Sequence, residues 1–140
     1  MAITQTVCTS FKKELLEGLH VFGSNSFKIA LYTDTANLNA DTTVYTTDNE
    51  VANGNGYSTA GETLTTVPPS SGDGVGFVTF SNATWASSSF TARGALIYND
   101  TNGDRAVMVL DFGDNKTSNN STFTVAMPAS TASTALIRIT

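Results

Sequence analysis

Short runs with apolar residues at every second position, separated by polar turns, recur from residue 26 to the end of the chain. In SFKIALYT (26–33), for example, Phe27, Ile29 and Leu31 occupy alternate positions. This period places alternate side chains on opposite faces of a strand. The pattern predicts a mainly β fold, with antiparallel sheets arranged as a β-sandwich or jelly roll. The other strand candidates lie at 44–45, 62–67, 75–80, 105–113, 121–128 and 134–140, with two more within 83–100.

The segment before these strands predicts one N-terminal amphipathic helix over about residues 5–21. Apolar residues recur there at spacings of three and four, and Leu16 widens the stripe. The stripe consists of Val7, Phe11, Leu15, Leu19 and Phe22, and the opposite side of Lys12, Lys13, Glu14 and Glu17. We expect this helix to pack on the core of a single domain spanning 1–140.

A hairpin is predicted in ARGALIYNDTNGDRAVMVLDFG (92–113), with Asn102-Gly103 as a two-residue type I′ turn. That turn would pair Tyr98 with Val107, Leu96 with Val109, Ile97 with Met108 and Ala95 with Leu110. Both faces are apolar, which indicates a central hairpin covered on both sides. Elsewhere, Pro68-Pro69 is expected to stop the 62–67 strand, and SSGDG (70–74) to turn the chain.

The segment LDFGDNKTS (110–118) contains fragments of two phosphate-handling motifs. A kinase needs a longer chain with a Gly-rich loop and a catalytic loop, and a P-loop needs a second glycine before the lysine and a helix after it. The chain meets neither set of requirements. We predict instead that Leu110 and Phe112 are strand residues and that 113–121 is a turn.

Other candidate chemistry is weak. Asp100, Asn102 and Asp104 offer alternating oxygens, but no glutamate downstream completes a calcium loop. His20 is the single histidine, and we expect it to contact the last carbonyls of the helix rather than to act in catalysis. Cys8 is expected to be a small buried hydrophobe. We therefore predict no enzyme, cofactor, metal or small-molecule substrate.

The net charge of −5 argues against nucleic-acid binding, which requires clustered Lys and Arg. No apolar run is long enough for a membrane span. Only 14% of residues are charged, and the surface is expected to be rich in Ser, Thr and Asn. Such a surface suits a protein partly covered by neighbours.

Aromatic residues leave a sugar-binding alternative open. Exposed rings could form a stacking platform, and equally the rings could belong to the core. The residues concerned are Tyr32, Tyr45, Tyr57, Trp85 and Tyr98.

Arg93 and Arg138 lie in strand-like apolar runs, where an arginine must either be paired or reach a rim. An interface role and a salt bridge at the edge of the core both fit. The predicted interface residues are Arg93, Arg138, Tyr45, Asn49, Asn115 and Lys116. The contact regions would be 34–61, 113–121 and the two termini.

The motifs CTSFKKELLEG, FKIALYT, TTDNEVANGNGY, FTARGALIYN, RAVMVLDFG and FTVAMP…ALIRI occur in this order from about Ile3 to Ile139. This string resembles a family of small virion proteins of tailed bacteriophages. The resemblance implies a structural protein of the particle. Analogy with other small β-rich phage proteins favours a capsid decoration or cement protein on the outer capsid surface.

Such a protein would contact the major capsid protein and copies of itself, as a homotrimer, with no nucleic acid or membrane as partner. It would stabilise the shell by burying surface across capsomer seams. The alternatives are a tail, connector or fibre component, a carbohydrate-binding host-attachment module and a small glycan hydrolase.

Overall fold

The computed structural model describes residues 2–140, which form ten strands and one short helix. It confirms a mainly β fold with antiparallel sheets and an N-terminal helix. The elements are β1 (Thr6–Val7), α1 (Thr9–Leu16), β2 (Phe27–Tyr32), β3 (Glu62–Thr63), β4 (Thr66–Gly72), β5 (Val75–Phe80), β6 (Ala83–Ser88), β7 (Thr91–Asn99), β8 (Arg105–Thr117), β9 (Ser121–Val125) and β10 (Ile137–Ile139).

A long antiparallel ribbon, made by β6 and β7 on one side and β8 and β9 on the other, organises the fold. β7 pairs with β8, and the pairing resumes between β6 and β9 in nearly the same register. Between the two halves the backbone N–H of Ser118 donates to Phe90 O at 2.9 Å, and the Ser118 hydroxyl contacts both Phe90 N and Ser88 Oγ. These bonds hold the ribbon together where it is bent.

Three sheets result from this ribbon and the strands around it. The largest has the order β1-β8-β7-β2-β3, a second has β10-β5-β4, and β6 pairs with β9 alone. β7 is therefore central and is buried along most of its length, as the apolar pattern on both of its faces predicted. Among the apolar residues of the predicted helix stripe, the 26–33 strand and the hairpin, Phe11, Ile29, Leu31, Leu96, Val107 and Val109 are buried, and Leu15 and Leu110 are partly buried against the core.

The helix is shorter than the predicted 5–21. Thr6 and Val7 form β1 against Met108 and Val109, and the helix ends where Gly18 adopts a φ of +76°, a left-handed conformation that suits glycine. The buried face is also different from the predicted one. Glu14 is buried beside Phe11, whereas Leu16 is 91% exposed.

The predicted hairpin exists, but its turn was wrong. Ala95, Leu96 and Ile97 pair with Leu110, Val109 and Met108 as predicted, whereas Tyr98 pairs with Ala106 instead of Val107. A type I′ turn needs a positive φ at both central residues. Here the positive values fall on Gly103 and Asp104 and not on Asn102, so the loop is wider.

The type I′ geometry occurs instead at Asp73-Gly74, where both residues have a positive φ and Gly72 pairs with Val75. The expectation that Pro68-Pro69 stops a strand was also wrong. Both prolines lie within β4, at an irregularity between Val67 and Ser70. Because β4 is an edge strand, the missing N–H groups of the two prolines do not interrupt the hydrogen bonding of a central strand.

The long polar connection 34–61 folds back onto the sheet. Its buried residues are Ala36, Leu38, Val51 and Tyr57. The connection closes at Gly61, which has a φ of +82° and where an added Cβ would lie 1.8 Å from Ile29 O. Only glycine allows the backbone to approach β2 this closely. The 44–45 strand candidate is a single bridge between Val44 and Arg105.

Candidate protein interaction surface

The predicted interface residues fall into separate regions of the molecule. Arg93 forms a salt bridge with Asp111, with Nε and Oδ1 3.3 Å apart, and both side chains are about one-third exposed. Of the two roles considered for Arg93, the structure shows the salt bridge. The backbone of Asp111 is also held in place, because its N–H donates to Gln5 Oε1.

Tyr45 and Asn49 lie in the 34–61 connection, where both have partners within the chain. Tyr45 stacks on Tyr98, and its hydroxyl donates to Glu50 at 2.6 Å. The Glu50 carboxylate also accepts from the Tyr57 hydroxyl and from Ala60 N–H. Burial and the adjacent carboxylate raise the pKa of the Tyr45 and Tyr57 hydroxyls. The hydrogen bonds around Glu50 hold the 34–61 connection against the sheet.

Asn115 and Lys116 belong to β8, so the predicted turn over 113–121 was largely wrong. The strand continues to Thr117, with Lys116 paired to Ala92, and only 118–120 separates it from β9. Both side chains are nevertheless exposed, as predicted. Asn115 donates to Asp34 at 3.1 Å, whereas Lys116 has no salt bridge with any residue of 2–140.

Arg138 is exposed on β10, opposite Phe77. Its neighbours Ile137 and Ile139 line a small apolar groove of about 200 Å³. Ile139 is 59% exposed.

The larger groove, of about 600 Å³, lies beside the outer edge of β8 and β9. Its apolar lining includes Leu110, Phe112, Phe123, Val125, Met127 and Leu136. Among residues 2–140, Lys116 is the one charged residue in the lining. Among the six predicted interface residues, it is also the one that this groove contains.

The sequence did not indicate most of this groove, because 121–128 was predicted as one strand candidate among several. The available signal was the apolar run Ala126-Met127-Pro128, which directly follows the alternating pattern of β9. Alternation alone could not show that Phe112 and Phe123 would approach each other, with ring centroids 6.1 Å apart, across a bent ribbon.

At the other end of the ribbon lies a polar cluster in which Glu14, His20 and Asn99 are buried and Arg105 is partly exposed. Glu14 Oε1 lies 2.9 Å from His20 Nε2, and Oε2 accepts from Arg105 at 2.9 Å. The Asn99 amide nitrogen lies 3.0 Å from His20 Nδ1. His20 is thus bound to two side chains, and the expectation that it contacts the last helix carbonyls was wrong.

The orientation of Asn99 fixes the tautomer of His20. Asn99 Oδ1 accepts from the N–H groups of Thr101 and Asn102, so its NH₂ group faces the ring. His20 Nδ1 is therefore an acceptor, and Nε2–H donates to Glu14. Because the His20 side chain is completely buried, this pair has no access to a substrate, and it joins α1 to the 99–105 loop.

Cys8 is buried, as predicted, and has 0% exposure. Burial, and secondarily the charge of Glu14, raise the pKa of its thiol to about 11. It is therefore protonated and unreactive near neutral pH.

The proposed sugar platform does not form. Tyr32, Tyr57, Trp85 and Tyr98 are at most 2% exposed. Trp85 packs edge-on against Phe123, with centroids 6.0 Å apart, and its indole N–H has no hydrogen-bond partner among residues 2–140. Trp85 and Tyr57 lie in the core behind Phe123, whereas the Tyr32 and Tyr98 hydroxyls donate to backbone oxygens of the 34–61 connection.

Two residues of the calcium candidate, Asn102 and Asp104, make hydrogen bonds within the chain. The Asn102 amide donates to Leu19 O, and Asp104 O accepts from Tyr45 N–H. Residues 2–140 contain no group of three or more acidic, His or Cys side chains placed to hold a metal ion. No helix in this part of the chain has the length and apolar character needed to cross a membrane.

Comparisons with known proteins found no matching family model, curated protein or solved structure.

Proposed function

We propose that this chain is a structural protein of a bacteriophage particle, and that it serves as a capsid decoration protein on the outer surface of the head. The observation that carries the proposal is the open apolar groove beside β8 and β9. An exposed apolar groove with one charged residue is suited to burying surface against another protein. The resemblance of the ordered motifs to those of small phage virion proteins supports this setting.

The rest of the molecule supports a binding role. The ionisable side chains of the Glu14–His20 cluster are bound to one another in the interior, and the aromatic rings proposed for sugar stacking are buried. A decoration protein needs a stable scaffold and a contact surface. Binding that is confined to the assembled shell would stabilise that shell by mass action.

The test is a density map of the intact particle together with a count of the copies of this chain. We expect hundreds of copies on the head exterior, and heads that break at lower temperature when the chain is absent. Copies in small multiples of three or six, with heads unaffected, would instead place it in the tail or connector. Cleavage of a host polysaccharide by the purified chain would contradict a structural role altogether.

The expected partners are the major capsid protein and two further copies of this chain. Sedimentation of the purified protein tests the trimer separately, because a symmetric trimer has three times the mass of the monomer at all concentrations above its dissociation constant.

A further inference from the structure

The outer edge of β9, Ser121–Val125, differs from the other sheet edges of this chain. β1 and β3 are two residues long, and β10 is three residues long. β4 is longer but contains Pro68-Pro69 and an irregularity. β6, at the other edge of the two-stranded sheet, has an irregularity between Trp85 and Ser88. Short strands, prolines and bulges all prevent the pairing of an edge with another chain.

β9 has none of these devices. Its sequence, STFTV, contains no charged residue and no proline. Within residues 2–140 it pairs with β6 alone, and β8 has no strand partner beyond Val109 on its β1 side. An edge with this composition is a template for one more strand.

The groove lies beside this edge, which determines the kind of ligand that fits. An added strand would lie about 4.8 Å from β9 and would direct every second side chain to the same face. On that face the groove offers apolar walls, including Phe112, Phe123 and Met127. Thr122 and Thr124, which alternate with Phe123 along β9, are lining residues as well.

Charge further specifies the ligand. Lys116 lines the groove, is exposed, and has no salt bridge with the described residues. A carboxylate on the incoming strand would complement it. The residues of 2–140 that line the groove include no buried charged group that would orient a small molecule, whereas a free strand edge provides a row of backbone donors and acceptors.

We propose that the β9 edge and its groove form an acceptor site for an extended segment of a neighbouring protein. The segment has apolar residues at alternate positions and a carboxylate that meets Lys116. This deepens the proposed function, on which its setting rests, because it states how the chain would hold its partner in the particle.

The test uses the full chain and a synthetic peptide of about seven residues, slightly longer than β9. The peptide alternates Val with Thr and carries one Glu near an end. Three matched peptides serve as controls: one with Lys in place of Glu, one with the valines clustered, and one N-methylated at every backbone nitrogen, which removes the N–H donors from both edges of the strand.

We expect saturable binding of the Glu peptide, with slower amide hydrogen exchange in 121–125. The Lys peptide should bind about tenfold more weakly, and Lys116→Glu should reverse this preference. Lys12→Glu makes the same charge change on α1, outside the groove, and should leave the preference unaltered. Because Lys116 is exposed, its substitution should not affect folding.

Four results would overturn the inference: no binding of the Glu peptide, equal binding of the Glu and N-methylated peptides, exchange protection outside β8 and β9, or self-association of the chain in sedimentation that Lys116→Glu abolishes. The peptide experiment requires no particle. A particle map that places the chain in a tail would therefore refute the proposed function but not the acceptor site. Failed peptide binding would refute the acceptor site but not the proposed function.

Discussion

At the 99–105 end of the β7–β8 ribbon, the side chains of Glu14, His20, Asn99 and Arg105 bind one another. At the 111–125 side, the outer strand edge has no strand partner beyond Val109 among the described residues, and an apolar groove lies beside it. The first region joins the helix to the sheet and satisfies buried polar groups internally. The second leaves both backbone and apolar surface available. The same ribbon thus has a closed region that maintains the fold and an open one suited to a partner.

This comparison predicts that substitutions in the closed region and in the core change the free energy of unfolding, whereas substitutions in the groove lining change binding.

The largest effect is expected for Trp85→Ala, which removes a large ring from the core behind the groove. The free energy of unfolding should fall by about 3–5 kcal/mol, measured by urea denaturation. Trp85→Phe should cost much less, because it keeps most of the apolar volume and the indole N–H has no bond to lose. If Trp85→Ala kept full stability and lost attachment to sugars, the ring would be a ligand platform after all.

Asn99→Ala should lower the free energy of unfolding by about 2 kcal/mol, because it removes the acceptor for two backbone N–H groups and the donor to His20. Asn115→Ala is the matched control on the exposed part of β8 and should cost under about 0.5 kcal/mol.

Since the chain has a single histidine, the nitrogen NMR shifts of its ring can be assigned without ambiguity. In the wild type they should report hydrogen on Nε2 of His20. Hydrogen on Nδ1 would contradict the arrangement described for the closed region.

The raised pKa of the Cys8 thiol predicts that the folded protein loses stability at alkaline pH. Burial raises the pKa of its thiol from the ordinary 9.0 to about 11. The folded state therefore holds this proton more tightly than the unfolded state. The resulting stabilisation is complete below pH 9 and is lost as the pH rises through 11.

The loss should be on the order of 2 kcal/mol by pH 12. The buried tyrosines shift in the same direction, so the measurement is the difference between the wild type and Cys8→Ala across pH 8–12. A constant difference would contradict the assignment.

The smallest effect is expected for Arg93→Ala, which breaks a partly exposed ion pair with Asp111. The free energy of unfolding should change by under about 1 kcal/mol and should depend on salt. A loss of particle occupancy without a loss of stability would return Arg93 to the interface, as the sequence had allowed.

Local patterns were sufficient to predict much of the fold. The period of two residues located most of the long strands, and the two apolar faces of 95–98 and 107–110 indicated the central position of β7. Pattern could not locate the helix ends, since residues 6–7 fit an apolar stripe yet pair with Met108 and Val109. The same limit applies to the turns, because both Asn102-Gly103 and Asp73-Gly74 are good type I′ sequences and only the second adopts that geometry.

The candidate site was less predictable than the fold. Lys116 was identified from the sequence, but as part of a turn, whereas it lies on a strand beside a groove. Tyr45 and Asn49 looked like surface contacts because their partners, Glu50 and Thr35, are polar residues of the same loop. Contacts of this kind depend on how the loop folds back, which spacing along the chain does not encode.

The sequence by itself determined the strand content, the central hairpin and the buried state of Cys8, because these follow from local periodicity and from the transfer of apolar side chains out of water. Only the tertiary structure decided that Glu14 and His20 are buried together, that 34–61 is fastened by Glu50, and that β9 is an open edge. Those features join residues far apart in the chain, and their energies depend on distances that exist only after the sheets have assembled.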